Sequence, residues 1–135
     1  MIKSLNHVAI AVKSVDETAK IFEKLLGIKA GKVEIVADQG VKSLILPLGN
    51  AHIELIEPLD ASSGVAKYIE KKGEGLHHIS LSVSNIDGAL KSVEEKGGEL
   101  IDKKGRKGIE GKIGFIHPRS FKGVLIELTE PEHNH

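Results

Sequence analysis

A chain of 135 residues is long enough to bury a core, and its 19 basic residues balance 19 acidic ones. Zero formal charge argues against nucleic acid or an anionic membrane as the main partner, and no apolar run is long enough to cross a bilayer. The lack of cysteine excludes disulfides and thiolate chemistry; with an N-terminus that opens directly on a strand, it gives the expectation of a cytoplasmic protein without a signal peptide.

The first strand is expected over about 3–12, with alternating faces. Val8, Ile10 and Val12 form a bulky side; His7, Ala9 and Ala11 form a small one. Ser14-Val15-Asp16-Glu17 has the pattern of a capping box. Val15, Ala19, Phe22 and Leu26 then make one apolar helical stripe, which Gly27 ends. Strands are expected at about 31–36, 41–48 and 51–57, with a short turn at Leu48-Gly49-Asn50 and a stop at Pro58. In the connection that follows, Ser62 or Ser63 caps a short helix carrying Val65, Ala66 and Ile69, which Gly73 ends.

The strand at 76–83 alternates in the same way. Ile79, Leu81 and Val83 are bulky; His78, Ser80 and Ser82 leave room, which implies a hollow that His78 enters. Asn85 caps a helix with Ile86, Leu90 and Val93 inward, and strands are expected near 99–103, 112–117 and 123–130. The basic, glycine-rich loop from Gly105 to Gly111 lacks Walker A spacing, so no nucleotide loop is read there. Glu132-His133-Asn134-His135 is expected to be a frayed tail with no functional histidine.

The two halves match. His7, Asp16, Lys20, Glu23 and Gly27 recur 71 residues on as His78, Asp87, Lys91, Glu94 and Gly98. Ile53-Glu54-Leu55-Ile56-Glu57-Pro58 recurs 73 residues on as Ile126-Glu127-Leu128-Thr129-Glu130-Pro131. The chain therefore reads as a single α+β domain of two β-α-β-β-β modules, about 2–58 and 76–131, with a connector at 59–75. Modules of roughly 65–70 residues are marginal alone and are expected to share one core. Their sheets are expected to join into a curved eight-stranded surface with helices outside and the small-residue faces on the concave side.

Each module puts a carboxylate on a strand between apolar neighbours. His52, Glu54 and Ile56 share one face; Leu125, Glu127 and Thr129 share another. A carboxylate turned into a sheet must be paired, protonated or bound to a metal. One strand histidine is more often structural than a ligand. Here His7, Glu54, His78 and Glu127 stand in register across a duplication, and one divalent ion is the economical reading. Imidazole and carboxylate together suit Co, Mn, Ni, Zn or Fe. His77 faces away and reads as structural, His52 as an outer or surface residue beside Glu54, and His117 as either. Asp38, in Ala37-Asp38-Gln39-Gly40-Val41, is an ordinary turn residue by type. Its repeat partner is Gly111, however, so this acid occurs in one half only, as a catalytic base beside a symmetric metal site would.

The paired modules resemble the vicinal oxygen chelate superfamily and, within it, the methylmalonyl-CoA epimerase family, over residues 2 to about 130. The resemblance rests on Asn6-His7-Val8-Ala9-Ile10-Ala11-Val12, Asp38-Gln39-Gly40-Val41, Glu54-Leu55-Ile56-Glu57-Pro58-Leu59, Gly73-Glu74-Gly75-Leu76-His77-His78-Ile79, and His117-Pro118-Arg119-Ser120 followed by Gly123-Val124-Leu125-Ile126-Glu127-Leu128. It implies a metal held by His7, Glu54, His78 and Glu127, with cobalt first among the candidates, and catalytic acids at Asp38 and Glu127. It also implies an acyl-CoA substrate and a homodimer. The family's usual Gln is Glu54 here, its usual Glu is Asp38, and its His-Pro-Lys has Arg119 in place of Lys. Arg106, Lys107, Arg119, Ser120 and Lys122 are the candidates to meet the coenzyme. Glyoxalase I resembles the chain in fold and uses a His/Glu/His/Glu set, but usually carries an Asp-Pro-Asp-Gly-type turn where this chain has His117-Pro118-Arg119-Ser120. A two-His, one-carboxylate dioxygenase does not account for Glu54. A ligand-binding protein of the same fold would need no metal ligands.

Overall fold

The computed structural model describes residues 1–109 and 111–132; Glu110 of the glycine-rich loop and the tail histidines His133 and His135 lie outside them. The elements run β1 (Ile2–Ala11), α1 (Val15–Leu26), β2 (Val33–Val36), β3 (Val41–Pro47), β4 (His52–Pro58), α2 (Gly64–Lys72), β5 (Gly75–Val83), α3 (Ile86–Glu95), β6 (Arg106–Lys107), β7 (Gly111–Ile116) and β8 (Ile126–Pro131). This is the expected β-α-β-β-β order, twice, with a connecting helix.

Each helix begins on a short polar side chain that satisfies a backbone donor left over in its first turn. Ser14 accepts from the N–H of Glu17, Ser63 from that of Ala66, and Asn85 from that of Gly88. A carboxylate adds to this at two of them. Glu57 accepts from the N–H of Val15 and Glu130 from the N–H of Ile86, each at 2.9 Å. These are the second glutamates of the repeated Ile-Glu-Leu-x-Glu-Pro stretch. Lying three residues beyond Glu54 and Glu127, they point to the opposite face of the strand, where a negative charge meets the positive end of a helix.

The chain divides into two units, His7–His77 and Met1–Asn6 with residues from His78 onward. In the first, the strand order is β2-β3-β4-β1, with β1 parallel to β4 and β3 antiparallel to β2 and β4. Helix α1 covers the bulky face, and Val12, Val15, Ala19, Leu44, Leu46 and Leu55 are buried together there. On the other face Ala9 and Ala11 are wholly buried, against Val41, Ile56 and Val65. Val65 belongs to α2, so that helix covers part of the face that carries His7 and Glu54. Two alanines on β1 leave the space that Val65 fills.

In the second unit the order is β5-β8-β7-β6, with β5 parallel to β8 and β7 antiparallel to its neighbours. Helix α3 packs on Val83, Ile116, Ile126 and Leu128 through Ile86, Ala89 and Leu90. The strand expected at 99–103 does not form. The N–H groups of Ile101 and Asp102 both turn to the carbonyl of Phe115, and the Asp102 carboxylate takes the N–H of Phe115 at 2.8 Å. With that donor taken, only a single bridge, Leu100 to Ile116, remains. The outer strand is β6 instead, inside the glycine-rich loop. β7 starts at Gly111 opposite Pro131, where the backbones come so close that a Cβ on residue 111 would lie 2.2 Å from the carbonyl oxygen of Glu130.

Candidate metal centre

The parallel register of β1 and β4 sets His7 opposite His52 and Ala9 opposite Glu54. His7 and Glu54 are buried, at 6% and 8% exposure, and His7 Nε2 lies 3.1 Å from Glu54 Oε2. The other oxygen, Oε1, accepts from the Ser43 hydroxyl at 3.2 Å. The ring of His52 stacks on that of His7, with centroids 5.0 Å apart. Burial, and secondarily the charge of His52, push the His7 pKa down to about 3. Its imidazole is therefore neutral at pH 7 and has a lone pair to give.

The second unit repeats the pair. Ser80 stands opposite Glu127 on β5 and β8, and His78 Nε2 lies 3.9 Å from Glu127 Oε1. Both residues are buried. The Thr129 hydroxyl donates to Glu127 Oε1 at 3.1 Å, and the Ser80 hydroxyl lies 2.6 Å from that of Thr129. Since Thr129 gives its proton to the carboxylate, Ser80 donates to Thr129, and the chain of hydroxyls ends on Glu127. Phe115 meets the His78 ring edge-on at 5.4 Å.

In each unit, then, an imidazole and a carboxylate meet in a buried place, with a hydroxyl holding the carboxylate. Each pair offers donors of the kind that suit a divalent ion of the borderline class, and the hydroxyls are the kind of outer support that orients metal ligands. Ser80 and Thr129 stand on the faces that the sequence assigns to His78 and Glu127, while nothing in the sequence singles out Ser43. The stacking of His52 on His7 follows from a strand register that no periodicity reveals.

The other candidates lie elsewhere. Asp38 is exposed in a 3₁₀ turn at Ala37–Gln39 between β2 and β3. Arg119 is exposed and pairs with Glu99 at 3.1 Å, while the Ser120 hydroxyl accepts from the Glu99 N–H. His117 caps this turn, its Nδ1 accepting from the N–H of Arg119. Lys122 ends the turn at φ 58°. Lys107 is exposed on β6. Arg106 is different: its Nε donates to Asp102 at 3.2 Å and its guanidinium lies 5.7 Å from the centre of the Phe115 ring that contacts His78. His77 packs edge-on against Tyr68 at 4.8 Å, and burial pushes its pKa down to about 4. That is a packing role, as expected.

Residues 6–116 match the model of the Glyoxalase/Bleomycin resistance protein/Dioxygenase superfamily. An ethylmalonyl-CoA/methylmalonyl-CoA epimerase of Cereibacter sphaeroides is 37% identical over 96% of this chain and 99% of its own. An uncharacterized protein of Bacillus subtilis is 40% identical over 95% of this chain and 92% of its own. Among solved structures, the methylmalonyl-CoA epimerase of Mycobacterium tuberculosis has a TM-score of 0.92 at 36% identity, over 98% of this chain and 90% of that one.

Proposed function

Since the chain belongs to the methylmalonyl-CoA epimerase family of the glyoxalase/bleomycin resistance/dioxygenase superfamily and is an epimerase enzyme, we propose that it interconverts the (2R) and (2S) forms of methylmalonyl-CoA. The observation that carries this reading is the buried His–Glu pair repeated in each unit, His7 with Glu54 and His78 with Glu127. The four residues are proposed to hold one divalent ion between them, with cobalt first and Mn, Ni, Zn or Fe as alternatives. When bound, such an ion supplies positive charge to stabilise the negative charge that builds on the substrate oxygens as a proton leaves.

The carbon to be inverted lies between a carboxylate and a thioester carbonyl, which makes its proton acidic. Asp38 and Glu127 are proposed as the acids that serve its two sides. One takes the proton as base and the other returns a proton from the opposite side. Asp38 is supported by its presence in one module only. Glu127 is supported by its burial and by the Ser80–Thr129 hydroxyl chain, which holds one carboxylate oxygen in place. Arg106, held by Asp102 over Phe115, is the best supported of the residues proposed to meet the coenzyme or the substrate carboxylate. Lys107, Arg119, Ser120 and Lys122 complete that group. The enzyme is proposed to work as a cytoplasmic homodimer.

The test is to incubate metal-loaded protein with racemic methylmalonyl-CoA in heavy water and follow deuterium at the second carbon. Deuterium entry with interconversion of the two forms is expected. Lactoylglutathione formation from methylglyoxal and glutathione, with no epimerisation, would overturn the reading in favour of glyoxalase chemistry.

A further inference from the structure

The proposed ion takes two ligands from the unit His7–His77, yet that unit brings three donor side chains together. His52 stands directly opposite His7 across two parallel strands, and the rings lie at 26° to one another. Glu54 follows two residues later on the same face. One ligand-capable atom each from His7, His52 and Glu54 falls within 4.8 Å of the other two. Donors about 2.0–2.2 Å from a common ion lie about 3 Å apart when adjacent and about 4 Å apart when opposite, so small side-chain rotations suffice to bring all three onto one ion. Two imidazoles and a carboxylate presented from one side form a facial set that divalent first-row metals accept.

We infer that His52 is a third protein ligand from this unit, completing a His7–His52–Glu54 face on the bound ion. The inference rests on the reading of this face as metal-binding. It assigns His52 a bond to the ion in the substrate-free protein, not merely a place in the stack, and leaves the other His–Glu pair its part in holding the metal; substrate oxygens would take the place of this ligand. The half-exposed position of His52, outside the more deeply buried His7, puts it at the rim of the face.

His52→Phe separates the two roles, since it keeps a flat ring for stacking and removes both ring nitrogens. Wild-type and variant proteins are loaded with Co²⁺ alone, and proton NMR counts the strongly shifted, solvent-exchangeable N–H signals of coordinated imidazoles. The expected result is one fewer signal in the variant and a Co²⁺ affinity lowered by about tenfold or more, measured against a competing chelator. The same number of signals in both proteins would overturn the inference whatever the affinity does, because His52 would then only support His7. If circular dichroism shows His52→Phe to be unfolded, His52→Gln is read in the same way. Wild-type protein that takes up no Co²⁺ would defeat the metal reading itself, an outcome distinct from an unchanged signal count.

Discussion

Replacing Thr129 by Val keeps the shape of a side chain that is 2% exposed and removes its hydroxyl. Two hydrogen bonds go with it. One is the donation to Glu127, at 3.1 Å, which is worth about 1.5–3 kcal/mol when the acceptor is charged. The other is the contact with Ser80, at 2.6 Å, worth about 0.5–1.5 kcal/mol between neutral groups. Ser80 is wholly buried and cannot turn to water for a replacement. Metal-free Thr129→Val should therefore lose about 2–4 kcal/mol in urea unfolding. Loaded with Co²⁺, it should also bind the ion about 10–100-fold more weakly, because Glu127 is no longer held. Thr129→Ser keeps the hydroxyl and should lose only about 0.8 kcal/mol for the missing methyl, with affinity near the parent's. A Val variant within about 0.5 kcal/mol of the parent, with unchanged affinity, would show that the hydroxyl chain does not position the carboxylate.

Elemental analysis should find about one divalent ion per chain, and His78→Ala should lose most of it; full occupancy in that variant would remove His78 from the ligand set. Asp38→Asn should keep the metal, lose epimerisation by about 10²–10⁴-fold, and still exchange the proton of one enantiomer with solvent while retaining its configuration. Near-normal inversion, seen by chiral analysis of the product, would leave Asp38 as a turn residue. Glu57→Ala and Glu130→Ala should each lower stability by about 0.5–2 kcal/mol, since each removes the carboxylate that meets a helix N-terminus. An unchanged unfolding midpoint in either one would show that water replaces the carboxylate at no cost.

What the sequence revealed was local or periodic. Ser14, Asn85 and the pair Ser62 or Ser63, of which Ser63 is the cap, could be nominated because capping depends on a few adjacent residues. The faces carrying His7 and His78 could be separated from the bulky ones because strand alternation is strict. The duplication then raised four scattered residues into one pattern. Features that depend on pairing were not legible. Two-residue β6 exists because β7 offers it partners, while the more strand-like stretch at 99–103 loses its ladder to the side chain of Asp102. His52 meets His7 through a parallel register, and α2 settles beside Ala9 and Ala11 because of space, which an alternation pattern shows only as small residues.

The tight approach at Gly111 bears on how the two copies came to differ. If both modules descend from one ancestral unit, the strand pairings identify its counterpart: Val41 pairs with Pro58 as Gly111 pairs with Pro131, so Gly111 stands where the first copy has a valine. There β7 and β8 leave no room for even a methyl group. The second copy thus had no way to keep the valine once its strands had closed together, and Gly111→Val, which would restore the ancestral symmetry, would force the two backbones apart.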